Sequence, residues 1–328
     1  MFCMKKIITI VCLLLLLTAC NSDEISKNSI FDTTSPERNE FDEWIYQNFT
    51  VPYNLEFNYL YSDKLSDNLY NVVPATVTNS KAIAILLKHV WTDVYTKVGG
   101  VDFLKYNSFR QIQLIGSAEY DGNSIVLGTA EAGLKVLLFR VNELDLDNIY
   151  INQDNPYRDH QATPMDLNYW FFHTMHHEYC HILNQRKNFS TDFKTLMNKD
   201  VYKSDKLGEY RSSDWVNLEN DEAGPYGFVT NYASLDYNED FAEVYSNYVC
   251  SSEKGWNVIL ENAIRYQDED GNKLATPDTR GRDLILEKLA IVREYFRESW
   301  NINIDTLRQE VTDRSAEAQT LDLRHLKF

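Results

Sequence analysis

Apolar positions change their rhythm about halfway along the chain. After Ser35-Pro36-Glu37, "NEFDEWIYQNF" spaces its apolar residues as a helix does, with Ser35 placed as the cap and Pro36 at the first helical position. "YNLEFNYLYS" alternates and is rich in aromatics, the pattern of a strand. "SKAIAILLKHVWTDVYTKV" returns to helical spacing and stops at Gly99-Gly100. "RQIQLIG", "SIVLGTA" and "LKVLLFRVN" then read as strands separated by turn signals, Asp121-Gly122 among them. Beyond Pro164 helical spacing dominates. Thr163 and Pro164 offer a cap and a first-turn proline, and no Gly or Pro interrupts residues 165–207, which predicts a helix around residues 171–185. Strands first and helices later is the α+β pattern: an N-terminal mixed sheet with helices, then a mainly helical half.

The first twenty residues fall outside that rhythm. "MFCMKK" is a basic head, residues 7–17 are an apolar run too short for a comfortable membrane span, and "LTAC" is a small-residue cleavage site ending in Cys20. Residues 1–19 therefore read as a signal peptide of the bacterial lipoprotein type, which they resemble, with Cys20 lipidated and residues 20–34 a polar, flexible tether. Residues 35–328 read as one unit, without repeats or an internal linker. The expected location is the bacterial cell envelope, at the periplasmic or surface face of the outer membrane, with membrane contact only through the lipid on Cys20.

Charge and cysteine usage narrow the partners. The formal net charge is −17, and removing Lys5 and Lys6 with the signal takes it to −19, which argues against nucleic acid or anionic lipid as a partner. Only Cys180 and Cys250 remain in the folded part, so no disulfide framework is expected. Two local patterns lead nowhere. "GTAEAG" lacks the lysine and spacing of a phosphate loop, and "DEDGNKLATPDT" has Gly and Thr where a calcium loop needs other positions filled, so it reads as a solvated turn.

The chemistry concentrates in "FFHTMHHEYCHILNQ", which holds four of the seven histidines. On a helix, His177 and His181 stand four apart on one face and can offer two neutral nitrogens to one metal ion, with Glu178 beside them in reach of a metal-activated water. This is the H-E-x-x-H spacing of a zinc hydrolase. His173, one turn earlier on the same face, is either a rival ligand or part of the cleft wall behind the ligands; His176 points a quarter turn away and Cys180 faces the core. A catalytic zinc needs a third protein ligand, and "NYASLDYNEDFAEVYSNYV" supplies Glu239 for it, with Glu243 four residues on to hold a ligand histidine by its free N–H. Asp236 and Glu239 also have the spacing of a capping box, so Glu239 is alternatively a helix-start residue.

"HEYCH" followed by "NEDFAE" resembles the gluzincin metallopeptidases, and the Tyr232-to-Glu239 spacing resembles that of anthrax lethal factor and the Mlc titration factor peptidase. "FTVPYNLEFNY", "LGTAEAGLKVLLFRVN", "HHEYCHILNQ", "NYASLDYNEDFAEVY" and the lipobox together resemble the zinc-binding metallopeptidase lipoproteins of Bacteroidetes, a family described as associated with substrate import. The resemblance implies a zincin-like fold and Zn2+ held by His177, His181 and Glu239. It implies Glu178 as base, Tyr232 as donor to an oxyanion, a peptide or protein substrate, and an outer-membrane import system as partner. Glu243 stands where thermolysin-like members carry Asp. A strand upstream, such as "LKVLLFRV", offers an edge for an extended substrate. The reading that competes with hydrolysis is a zinc-containing surface lipoprotein that binds ligand for an importer without turnover.

Overall fold

The computed structural model describes residues 37–328 apart from 63–71, 122–123, 127, 132–134, 204–206 and 269. The signal, the tether and Cys20 lie outside the described residues. Residues 40–328 pack as one unit, and none of its described helices is long and apolar enough to cross a membrane.

The first helix, α1 (Glu40–Ile45), continues through wider turns to Tyr53. Residues 37–39 are not helical, so the helix begins after the Ser35-Pro36 signal rather than at it, with Glu40, Asp42 and Glu43 placing negative charge in its first turn. β1 (Glu56–Asn58) follows, then α2 (Val77–Leu87), capped by Thr76, whose Oγ1 accepts the Asn79 N–H. α3 (Asp93–Gly99) ends at Gly99, where Gly100 (φ +85°) reverses the chain into α4 (Val101–Asn107).

Four strands form the main sheet in the order β1, β2 (Gln111–Leu114), β6 (Lys135–Leu138), β5 (Gly128–Glu131). The first three are parallel and β5 runs antiparallel at one edge. β6 is apolar on both faces because both faces are covered: Val136 and Leu138 join Ile112 and Leu114 of β2 in the main core, whereas Leu137 forms a second cluster with Ile115 and Phe139, which follow β2 and β6. "SIVLGTA" is divided between sheets: β4 (Ser124–Val126) pairs with β3 (Glu119–Asp121) in a separate hairpin around the anticipated Asp121 turn. "LKVLLFRV" is not an edge. β6 is paired on both sides, and the outer strand is β5.

The C-terminal half holds α5 (Thr174–Arg186), α6 (Tyr237–Cys250), α7 (Glu253–Asn262), α8 (Arg280–Trp300) and α9 (Ile304–Ala318). The helical turns leading into α5 start at Asn168 rather than at Thr163-Pro164, and the Asp166 carboxylate accepts the Asn168 N–H at 3.1 Å. The chain between β6 and α5 instead lays His160 flat on Tyr169, with ring centroids 3.4 Å apart. A hairpin of β7 (Arg265–Gln267) and β8 (Lys273–Asp278) interrupts the helical half. "DEDGNKLATPDT" is thus a turn, with Asp268 accepting the Asn272 N–H, only in its first part, and a strand in the rest. α5 and α6 pack against each other, joined at the back by buried groups. The Tyr95 hydroxyl meets both His176 Nδ1, at 2.9 Å, and the Tyr245 hydroxyl.

Candidate metal centre

α5 presents one face to the core and another that is partly open. Of residues 171–180 only Glu178 is not fully buried, and His181 is likewise partly open. α6 faces them because Asp236 starts it. The Asp236 carboxylate accepts the backbone N–H groups of Asn238 and Glu239, which settles the capping role on Asp236 and leaves the Glu239 side chain free to turn toward α5.

There His177 Nε2 and His181 Nε2 lie 3.0 Å apart, and Glu239 Oε2 lies 3.1 Å from the first and 3.2 Å from the second. Three lone-pair donors at this spacing repel one another unless a proton or a cation stands between them. About a tetrahedral zinc with ligands at about 2.0–2.2 Å, donor atoms stand roughly 3.3 Å apart, so the arrangement fits that ion.

Behind the donors, Glu243 Oε1 accepts the His177 Nδ1–H at 2.8 Å, which leaves a lone pair on Nε2. Glu243 is itself held by the Thr230 hydroxyl at 2.6 Å, by the Asn247 amide at 3.2 Å and by His173 Nε2 at 3.2 Å. His173 Nε2 also meets Ser246 Oγ at 2.9 Å. His173, His177 and Glu243 are a second donor group close enough to share an ion, but all three are buried, whereas His181 and Glu239 are partly open. His173 thus stands buried behind Glu243.

Electrostatics favour a positive charge at the centre. Burial alone would depress His177, yet the Glu239 and Glu243 carboxylates outweigh it and push its pKa well up. Burial likewise works to raise Glu239, and the two imidazoles overcome it and hold the carboxyl well below its usual range. Glu178 is pushed upward by burial, against the pull of His177 and His181. The Tyr232 ring centroid is 5.9 Å from that of His177, and burial followed by the Glu239, Glu243 and Glu178 carboxylates pushes its phenol far up, so it keeps its proton at neutral pH.

His177, Glu178, His181, Tyr232, Glu239 and Glu243 are therefore brought together, with His173 one layer behind. His176 is not at the centre, since it faces Tyr95 with Nε2 buried and, among the described residues, without a partner, and Cys180 and Cys250 are both buried and unbridged among those residues. Sequence reasoning missed Thr230 and Asn247, although Asn247 lies one turn from Glu243 on the same face. It also missed the buried ion pair beside Glu239, in which Lys288 reaches Asp240 at 2.6 Å and the Gly227 carbonyl at 2.7 Å.

No curated protein matches the chain. A crystal structure at 2.10 Å resolution, described as that of a "putative zinc-binding metallo-peptidase" from Bacteroides caccae ATCC 43185, is 35% identical. It aligns over 90% of this chain and 99% of its own, with a TM-score of 0.66. The family described as "Putative zinc-binding metallo-peptidase" matches residues 34–305. With that family spanning the sheet, both site helices and every residue of the centre, the chain belongs to the zinc-binding metallo-peptidases.

Proposed function

We propose that the chain hydrolyses peptide bonds with Zn2+ held by His177, His181 and Glu239, in the manner of a gluzincin. The observation that carries this reading is the convergence of those three donor atoms within 3.0–3.2 Å beside a partly open glutamate. When bound, zinc supplies Lewis acidity, which polarises a carbonyl and makes water a better acid. Glu178 takes the proton from the attacking water and delivers it to the leaving amine; its raised pKa suits both halves of that task. Tyr232 donates its phenolic hydrogen to the carbonyl oxygen as negative charge develops there. Glu243, fixed by Thr230, Asn247 and His173, orients His177 through its Nδ1–H.

Three protein donors with an acid–base group alongside favour turnover over a purely structural ion, which needs a fourth protein ligand. An extended substrate would add to the edge of β5, which is unpaired among the described residues and contacts α5. We further propose that Cys20 is lipidated, that the domain works at the cell envelope, and that it serves an import system; the signal-like residues 1–20 support the first two. The deciding experiment digests a peptide library with the chain starting after Cys20, in wild-type form and as Glu178→Gln. The expected result is cleavage by the wild type and none by the variant, with equal zinc content by elemental analysis. Equal cleavage by both would overturn the mechanism, and zinc-loaded wild type that cleaves nothing would favour the ligand-binding alternative.

A further inference from the structure

Ser212–Asn217 forms a short tight-turned helix with no buried residue, yet its sequence, "SSDWVN", carries two large apolar side chains. Val216 is 53% exposed, and half-buried Trp215 belongs to none of the apolar cores. The Trp215 ring meets Tyr232 instead, with centroids 5.0 Å apart and planes at 75°. An edge contact of that kind leaves at least one indole face uncovered by the tyrosine. The indole N–H makes no hydrogen bond among the described residues.

The placement is rigid. The Arg211 N–H donates to the Ser234 carbonyl at 2.7 Å and the Ser212 N–H to the Leu235 carbonyl at 3.2 Å, so the start of the segment is bonded to the turn that carries Tyr232. Its far end is bonded to the same turn through the Asn231 side chain, which donates to the Leu218 carbonyl at 2.8 Å, and the Asn231 N–H, which donates to Asn220 Oδ1 at 3.1 Å. Ser212 is held left-handed at φ +49°, a conformation that a non-glycine residue adopts only when its surroundings impose it. Trp215 is thereby fixed against the phenol whose ring stands 5.9 Å from His177.

We infer that Trp215, with Val216 beside it, is the specificity-determining platform of the site and selects a bulky apolar side chain, aromatic or aliphatic, next to the scissile bond. The inference rests on the peptidase reading above. A half-buried indole outside the cores gains by covering with apolar substrate surface what Tyr232 leaves open, and its position at Tyr232 puts that surface one residue from the reacting carbonyl. Val216, next in sequence and exposed, adds an apolar side chain and no charge, which favours an apolar partner over a cation seated on the ring.

The test measures binding of hydrolysis-resistant reduced-amide peptides to the zinc-loaded chain by calorimetry, with Phe, Leu, Lys or Gly placed in turn on each flank of the reduced bond. On one flank, Phe and Leu are expected to bind at least about tenfold tighter than Gly, the scale of apolar discrimination in a pocket. Trp215→Phe should retain most of that preference and Trp215→Ala should collapse it to within about threefold. With cleavable counterparts, Trp215→Ala should raise KM for Phe and Leu peptides and leave kcat within about threefold. Val216→Ser, at an exposed position, carries the same test with a partial loss of preference should Trp215→Ala fail to fold. A preference that survives these changes, a preference for Lys, or a fall in kcat shared by all peptides would overturn the assignment, the last reducing Trp215 to a buttress for Tyr232. Trp215-dependent binding without any turnover would count against the peptidase reading alone, and turnover without Trp215-dependent selection against the platform alone.

Discussion

Two single residues carry tests of opposite kinds. Tyr232→Phe keeps the ring against His177 and Trp215 and removes only the hydroxyl, so metal content and fold should persist. If the phenol donates only as charge develops, kcat should fall about 10²- to 10³-fold with KM little changed, as steady-state kinetics on a cleaved peptide would read. His160 tests stability. Burial, followed by the nearby His173, lowers its pKa to about 4 from 6.5. Between those values the unfolded chain binds a proton that the folded chain refuses, so the His160 contribution is fully present above about pH 6.5 and is lost as pH falls toward 4. Urea unfolding from pH 7.5 to 4.5 should therefore show wild type losing stability relative to His160→Gln as the pH drops. A gap independent of pH would mean that His160 protonates freely in the fold.

Among the elements, α8 is joined to α6 by a charge pair that is buried at both ends. Lys288 donates to Asp240 at 2.6 Å and to the Gly227 carbonyl at 2.7 Å, and the Tyr210 hydroxyl donates to Asp240 at 2.9 Å. Burial pushes the Asp240 pKa up to about 6 even against the pull of Lys288, a measure of how much solvation the pair forgoes. Removing one partner leaves the other charge buried and alone, so Lys288→Met should destabilise by about 3–5 kcal/mol in urea melts. Lys288→Met with Asp240→Asn should recover much of that loss, because the double variant buries no orphaned charge. Additive losses would show that the two groups are not coupled. Asp240 follows Glu239 directly in α6, so the pair fixes the start of α6 against α8 next to the metal centre as well as adding stability.

For the whole molecule, the metal and the fold are linked. The donors come from α5 and α6, and Glu239 and Glu243 are carboxylates whose negative charge a cation offsets. Chelation should lower Tm, and added Zn2+ should restore it. An ion at a hundred times its Kd contributes about 2.7 kcal/mol to the folded state. Differential scanning calorimetry with and without chelator would measure this, and an unchanged Tm in a chain that elemental analysis finds zinc-loaded beforehand would refute the linkage.

Much of the centre was legible along the chain because its spacing is local. His177, Glu178 and His181 need only a helix to share a face, and Glu239 and Glu243 need only another. The α+β order and most element types followed equally from periodicity, since apolar faces repeat at 3.6 or 2 residues before any tertiary contact forms. Where pattern and structure part, longer-range contacts decided. β6 lost its edge because β2 and β5 both pair with it, the helical turns leading into α5 start at Asn168, next to Asp166, which accepts the Asn168 N–H, rather than at Thr163-Pro164, and the Asp268 turn grew into a hairpin. The meeting of His177 with Glu239, 62 positions apart, could be proposed from residue types but was fixed by packing of α5 on α6. Trp215, Lys288 and His160 carry no local signal at all, because the partners that give each its role, Tyr232, Asp240 and Tyr169, are brought to it only by the tertiary fold.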